Sequence, residues 1–162
     1  MFSFFFSETN YHMARYHFIR SDDMKSFGSM LVEVQVELGF RSEIDLFITQ
    51  AVLQLLCIRN STVASSLFDS YIEDHPLLSN GPPYKYPLLN FTWLLLLAIQ
   101  RYFRDLPNNW SSGTNHILFS TKQSSYSVLC KHYQPSLKRD PTNKEYLDRI
   151  GQVKLTEDKI YD

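Results

Sequence analysis

The sequence predicts an all-α fold, an α-solenoid of antiparallel helix pairs similar in architecture to TPR repeats. Helix-start residues recur at Ser21, Ser42 and Ser61, about 20 residues apart, and two helices in roughly 40 residues is the period of such solenoids. Between these starts, apolar residues recur every three or four positions, as one face of a helix requires. Strand signals are few, because the short alternation over residues 34–36 lies inside a helical pattern.

The composition limits the classes of partner. The 162 residues carry a formal net charge of −1, which gives no bulk electrostatic reason to expect nucleic acid or an acidic membrane surface as partner. The longest apolar run, from Pro87 to Ile99, is shorter than the ~18 residues that a membrane-spanning helix needs. Two cysteines without a CxxC spacing, and an opening without a signal-peptide pattern, suit a reducing compartment. We therefore expect a cytosolic location, no nucleic acid partner and no direct membrane insertion.

The first two predicted helices differ in how clear the sequence signals for their ends are. A short helix over Tyr11–Ile19 has no clear cap. Ser21 is then predicted to cap a longer helix, and Gly39 is a suitable residue to end it. The apolar stripe of this second helix consists of Met24, Phe27, Leu31, Val34 and Leu38.

The stretch from Gly39 to Asn60 contains the helix around which the rest is organised. Ser42 and Asp45 have the spacing of a capping box, so the helix is predicted to start there. Its apolar residues occupy more than one face, which is typical of a helix buried on both sides. The residues predicted to be buried are Phe47, Ala51, Leu55 and Leu56.

The middle of the chain contains two breaks. A helix from about Ser61 ends before Pro76, and the Gly81–Pro83 segment then forbids helix. Pro87 suits the first turn of the next helix, which reaches about Tyr102 and whose Trp93 is assigned to the core. Residues 104–125 lack periodicity and are rich in Ser, Asn, Thr and Gly, so they are predicted to form a disordered insertion.

Two further helices are predicted after this insertion. One begins at Tyr126 and carries the segment YSVLCKHYQPSL. The last begins with Asp140 as N-cap and Pro141 in the first turn, and Gly151 is predicted to end it. Residues 152–162 are polar and are predicted to form a flexible tail.

The sequence contains no recognisable catalytic or metal-binding motif. There is no phosphate-binding loop, no nucleophile elbow and no HExxH. His12 and His17 are five residues apart and thus on different helix faces, which indicates ordinary surface histidines. The acidic pair Asp22 and Asp23 lies in a helix first turn, where it complements the helix dipole. We therefore expect no enzyme activity, no metal and no cofactor.

Seven sequence blocks resemble one known family, in the same order. They are RYHFIRS (15–21), MLVE (30–33), GFRSEIDLFITQAVLQLL (39–56), GPP (81–83), PLLNF (87–91), YQPSLKRDP (133–141) and EYLDRIG (145–151). Together they are similar to the Golgi-to-ER-traffic protein four family. The resemblance covers most of residues 11–151 and corresponds only to the C-terminal half of the family's solenoid, so the predicted solenoid is truncated at its N-terminus. The family pattern has no counterpart for residues 101–125.

The resemblance implies a non-catalytic cytosolic adaptor in the post-translational targeting of tail-anchored membrane proteins to the ER. In the family, the C-terminal half holds an extended segment of a partner, which is a ubiquitin-like co-subunit or the Bag-six chaperone. The resemblance also implies that the half of the solenoid that docks the ATPase is absent from this chain. From the helix period alone, the alternative is an unrelated helical-repeat scaffold subunit, such as a proteasome-lid or TPR-like subunit.

The resemblance also selects candidate partner-binding residues. Tyr133 lies in the block that borders the family's partner groove, and tyrosine offers an apolar face with a hydroxyl that can stay wet. The equally weighted alternative is that Tyr133 only packs between the last two helices. Thr142 stands where animal members tend to carry an apolar residue, which is expected to weaken that contact. Tyr84 and Tyr86, after the proline-rich segment, are the remaining candidates.

Overall fold

A computed structural model describes residues 8–78, 81–104 and 125–156 of the chain. Within these ranges the regular structure is helical and contains no strand, so the predicted all-α class is confirmed for this part of the chain. The chain divides into two compact units, Met1–Gly81 and Pro82–Asp162. In each unit the helices pack on helices one or two places away along the chain, which is consistent with the predicted solenoid.

The described part of the first unit is built on four helices. They are α1 (Glu8–Ile19), α2 (Met24–Leu38), α3 (Ile44–Cys57) and α4 (Ser61–Asp74), with a 3-10 turn at Arg41–Glu43 before α3. The helix α4 packs against both α2 and α3. The core that they share is fully buried and includes Phe27, Leu31, Ile48, Val52, Leu55 and Leu67.

A buried arginine links α1 to α3. The guanidinium of Arg15 donates to Oε1 of Gln50 across 2.6 Å and to Oε1 of Gln54 across 3.1 Å. Because Arg15 is 8% exposed, these bonds replace water that the charged group loses on folding. The predicted helix over Tyr11–Ile19 is confirmed, with a start at Glu8.

The cap predicted for α2 was wrong by two residues. Asp23, and not Ser21, is the N-cap, and its Oδ1 accepts from the backbone N–H of Ser26 across 3.1 Å. The Ser21 hydroxyl instead donates to the carbonyl of Phe18 across 3.0 Å, within the turn that follows α1. A carboxylate nearer to the first turn satisfies the free N–H groups and complements the helix dipole better than a hydroxyl farther away.

The capping box before α3 lies two residues earlier in the chain than the predicted one. The backbone N–H of Phe40 donates to Oε2 of Glu43 across 3.2 Å, and the N–H of Glu43 donates to the carbonyl of Phe40 across 2.9 Å. The N-cap of α3 is Glu43, and not the predicted Ser42, and Asp45 is fully buried in the first turn of the helix. At α4, Asn60 is the cap and its side chain accepts from the N–H of Val63.

The helix α3 is buried on more than one face, as predicted. Ala51, Leu55 and Leu56 are buried, and these three predictions are confirmed. Phe47 is only half-buried, so its assignment to the core was wrong. The ring of Phe47 lies over the α2–α3 turn, where a Cβ added at Gly39 would be 3.1 Å from its Cε2. The position therefore covers a turn and does not enter the interhelical core.

The second unit begins with the longest of the described helices. It contains α5 (Pro87–Arg104), α6 (residues 125–132), α7 (Gln134–Leu137) and α8 (Pro141–Thr156). Pro87 is the first residue of α5, as predicted. Leu88, Leu89 and Phe91 are fully buried, whereas Trp93 is half-buried and not in the core to which it was assigned. The short helix α7 packs against both α5 and α8.

The end of α8 differs from the prediction. The helix continues through Gly151 to Thr156, because a glycine inside a helix lowers its stability but does not stop it. Residues 152–156 of the predicted tail are therefore helical, and residues 157–162 lie outside the described residues. The predicted insertion over residues 104–125 also lies outside them, except for its two end residues. None of the described helices combines the length and the apolar character that crossing a membrane requires.

A candidate partner-binding groove

The junction between α7 and α8 is fixed by Asp140. Its Oδ1 accepts from the backbone N–H of Thr142 across 2.9 Å and from the Thr142 hydroxyl across 2.7 Å. Pro141 occupies the first helical position, where its missing N–H costs nothing. The predicted N-cap of α8 is thus confirmed.

Further hydrogen bonds connect α8 to α6 and α7. The hydroxyl of Tyr126 on α6 donates to the carbonyl of Leu147 on α8 across 2.9 Å. The side-chain amide of Asn143, which is 1% exposed, donates to the carbonyl of Leu137 across 3.3 Å. Leu137 and Leu147 are both buried. These contacts hold α6, α7 and α8 as one helical group.

A groove of about 640 Å³ lies along this group, and we call it the α6–α8 groove. Its walls come from α6, α7 and α8. The lining residues are Tyr126, Ser127, Cys130, Lys131, Gln134, Leu137, Lys138, Asp140, Pro141, Lys144, Leu147 and Asp148. A mainly apolar surface with charged groups at its edge is typical of sites that bind peptide segments.

The groove residues follow helical spacing on both walls. Ser127, Cys130, Lys131 and Gln134 follow the pattern i, i+3, i+4, i+7, and Pro141, Lys144 and Asp148 follow the pattern i, i+3, i+7. Sequence reasoning missed them because lysines and a lone cysteine at this spacing are typical of any solvated helix.

Cys130 lies in the wall of the groove. Burial raises the pKa of the Cys130 thiol, and the neighbouring charge of Asp148 raises it further, while a hydrogen bond with Tyr126 opposes them. At neutral pH the group is therefore a thiol and not a thiolate, so it serves as an apolar wall. Within the described residues, no group of three or more His, Cys, Asp or Glu side chains is placed to hold a metal ion.

Comparison with known proteins identifies the family. Residues 3–154 match the family model described as Golgi to ER traffic protein 4. The chain is 47% identical over 146 residues to Golgi to ER traffic protein 4 homolog B of Xenopus laevis. It is 46% identical over 146 residues to the homolog of Homo sapiens, and 44% identical to that of Takifugu rubripes. The chain belongs to the Golgi to ER traffic protein 4 family. This membership excludes the alternative of an unrelated helical-repeat scaffold.

The shared region is a part of the relatives. Each alignment with the Xenopus, human and Takifugu proteins covers 90% of this chain and 39% of the relative. The chain thus spans about two fifths of the length of the curated Golgi to ER traffic protein 4 relatives that it matches. What these relatives do as whole proteins therefore remains a proposal for this chain.

Tyr133 of this Golgi to ER traffic protein 4 family member lies beside the groove. Its half-buried ring is 5.7 Å from the ring of Phe91, centroid to centroid, with the planes at 59°. Phe91 is fully buried on α5, so Tyr133 packs between α5 and the start of α7. Its chain neighbour Gln134 lines the groove, whereas Tyr133 does not. The structure thus shows the packing contact, and the partner-binding role stays a prediction.

The other three candidates lie at two places. The hydroxyl of Thr142 is bonded to Asp140, next to the groove residue Pro141. Tyr84 and Tyr86 precede α5, and the side chain of Asn90 bonds both the N–H and the carbonyl of Tyr84 across 2.8 Å. Both tyrosines are half-buried and neither lines the groove. Tyr133 and Thr142 are therefore at its border, while Tyr84 and Tyr86 are not, and their role also stays a prediction.

Proposed function

We propose that this chain is a non-catalytic cytosolic adaptor in the post-translational targeting of tail-anchored membrane proteins to the ER. Family membership supports a role in Golgi to ER traffic, as the names of the relatives state. The resemblance in the seven sequence blocks supports the more specific role in the targeting of tail-anchored proteins. The task of the chain in this proposal is to hold an extended segment of a partner in the α6–α8 groove.

The proposal is based on the volume and the apolar lining of the α6–α8 groove. A volume of about 640 Å³ is within the ~300–1,000 Å³ range of ligand sites and accommodates several side chains of a bound segment. Leu137, Leu147 and the Cys130 thiol supply apolar surface. An anchor residue of the partner gains free energy by leaving water for this surface.

The partner is a ubiquitin-like co-subunit or the Bag-six chaperone, as the family resemblance implies. The charged groups of the groove favour one class of segment. Lys131, Lys138 and Lys144 outnumber Asp140 and Asp148, and one of these two carboxylates already accepts the cap bonds of α8. A segment with an apolar anchor and flanking carboxylates therefore complements the groove better than a basic one.

Binding measurements with charge-reversal variants test the proposal. Lys131→Glu combined with Lys144→Glu is expected to weaken binding of a purified Bag-six or ubiquitin-like fragment at least about tenfold. Both lysines are exposed, so the helical circular dichroism signal is expected to stay unchanged. The matched control is Lys25→Glu, an exposed lysine of α2 outside the groove. Equal weakening by the control, or none by the double variant, would contradict the proposal.

A further inference from the structure

A second groove lies where α2 and α4 end, and we call it the α2/α4 groove. Its volume is about 480 Å³. Apolar surface is supplied by Val32, Val36 and Pro76, and Val36 is 52% exposed. A half-exposed valine beside a proline offers surface that a bound apolar side chain would remove from water.

The rim of the α2/α4 groove is acidic. Glu33 and Glu37 are one helical turn apart on α2, and Asp74 is the last residue of α4. Neither lysine nor arginine is among the described residues that line it. The C-termini of α2 and α4 are both at this end, and a helix C-terminus carries a partial negative charge that adds to the carboxylates.

A buried hydrogen-bond network holds the two helix ends together. His75 and Gln35 are bonded across 2.8 Å, between the ring Nε2 and the amide Oε1. The Gln35 amide also donates to the carbonyl of Phe40 across 3.0 Å. At the rim, the hydroxyl of Ser29 donates to Oδ2 of Asp74 across 2.9 Å. The groove is therefore preformed, and a partner need not order it on binding.

The first unit as a whole, which contains the α2/α4 groove, also carries a negative formal charge. The segment Met1–Gly81 has ten acidic and five basic side chains, a formal charge of −5. The segment Pro82–Asp162 has seven acidic and eleven basic side chains, a formal charge of +4. The net charge of −1 conceals this division. A cationic ligand is thus attracted to the unit that contains the α2/α4 groove.

We propose that the α2/α4 groove is a docking site for a basic peptide segment of another protein, with lysine or arginine on either side of an apolar residue. The apolar residue contacts Val36 and Pro76, and the cations face Glu33, Glu37 and Asp74. The sign of the rim disfavours phosphate-bearing ligands such as nucleic acid or an acidic membrane. This site is separate from the α6–α8 groove, whose excess of lysines favours acidic segments.

Fluorescence anisotropy with the full chain tests the inference. The probe is a short fluorescein-labelled synthetic peptide in which lysines flank leucines, and its counterpart has glutamates in place of the lysines. The basic peptide is expected to bind saturably and the acidic one not at this site. Glu33→Gln combined with Glu37→Gln is expected to weaken binding at least about tenfold. Glutamine is a good helix former, so α2 stays intact.

Two controls separate this groove from general charge effects. Glu145→Gln removes an exposed carboxylate of α8 and is expected to leave binding unchanged. Val36→Ser removes apolar surface without a change of charge and is expected to weaken binding as well. The inference is overturned if the basic peptide does not bind, if the double variant binds like wild type, or if Glu145→Gln weakens binding equally. None of these results depends on the α6–α8 groove.

Discussion

The imidazole of His75 and the side-chain amide of Gln35 form a buried link between the ends of α4 and α2. The backbone N–H of Leu77 donates to Nδ1 of His75 across 3.2 Å, so Nδ1 is the acceptor and Nε2 carries the proton. Nε2 then donates to Oε1 of Gln35 across 2.8 Å. This network requires a neutral histidine, because protonation of Nδ1 would remove the acceptor that Leu77 uses.

The first prediction is a loss of stability in acid that depends on His75. Burial lowers the pKa of His75 below its ordinary value of 6.5. The unfolded chain therefore takes up a proton first as the pH falls, and the free energy of unfolding decreases below about pH 6.5 until the folded pKa is reached. Above pH 6.5, both states are neutral and this contribution is fully present.

Urea unfolding at about pH 8 and about pH 5.5 measures the effect. Wild type is expected to lose more free energy between these two conditions than His75→Gln, since glutamine does not titrate. Carboxylates elsewhere affect both proteins alike and cancel in the difference. Parallel pH profiles for the two proteins would show that His75 does not contribute.

The second prediction concerns the core of α3. Leu55 is fully buried, and Leu55→Ala is expected to lower the free energy of unfolding by about 2–5 kcal/mol. Ile58, just after α3, is 53% exposed, and Ile58→Ala is expected to cost no more than about 0.5 kcal/mol. Urea unfolding of both variants gives the comparison. Similar losses at the two positions would contradict the burial of α3.

The third prediction concerns the close approach of α2 and α4. A Cβ added at Gly28 would lie 2.9 Å from the Cβ of Ser70. Gly28→Ala is therefore expected to destabilise the protein by about 1–3 kcal/mol, although alanine has the higher helix propensity. Ser70→Gly in the same chain removes the clash. Thermal unfolding of the double variant is expected to show a smaller loss than the two single changes added together.

The fourth prediction concerns Tyr133. Its ring connects the groove wall at Gln134 to Phe91 of α5, so its removal is expected to shift that wall. We expect Tyr133→Ala to weaken partner capture at least about tenfold, roughly 1.4 kcal/mol, with the helical signal retained. Tyr133→Phe, which keeps the ring, is expected to bind nearly normally. Loss of helicity along with capture would make Tyr133 a core residue, and unchanged capture would remove it from the site.

Helix periodicity predicted most of the helices, because the positions that a helix buries recur every three to four residues. The α3 pattern correctly predicted Ala51, Leu55 and Leu56 as core, and the Asp140–Pro141 pair correctly predicted the start of α8. Capping was predicted less well, since several polar residues compete near each helix start and only the folded turn selects one. Asp23 replaced Ser21 in this way.

The candidate groove was harder to predict than the helices. Tyr133 was chosen by its place in a sequence block, and Thr142 by its difference from animal family members. Neither lines the α6–α8 groove, although other residues of that block do. The lining side chains of α6 and α8 lie ten or more residues apart along the chain, and the packing of the folded helices brings them together. Helical spacing within one segment carries no information about the angle at which two helices pack.

Two cysteines make it possible to measure directly whether a partner segment occupies the α6–α8 groove. Cys130 lines the groove, whereas Cys57 lies at the end of α3 in the other unit, and both are half-buried free thiols. Maleimide labelling followed by mass spectrometry measures the modification rate of each cysteine with and without a saturating Bag-six or ubiquitin-like fragment. We expect the fragment to slow the labelling of Cys130 at least about tenfold while Cys57 keeps its rate. An unchanged Cys130 rate at saturation would show that the partner segment does not occupy the groove.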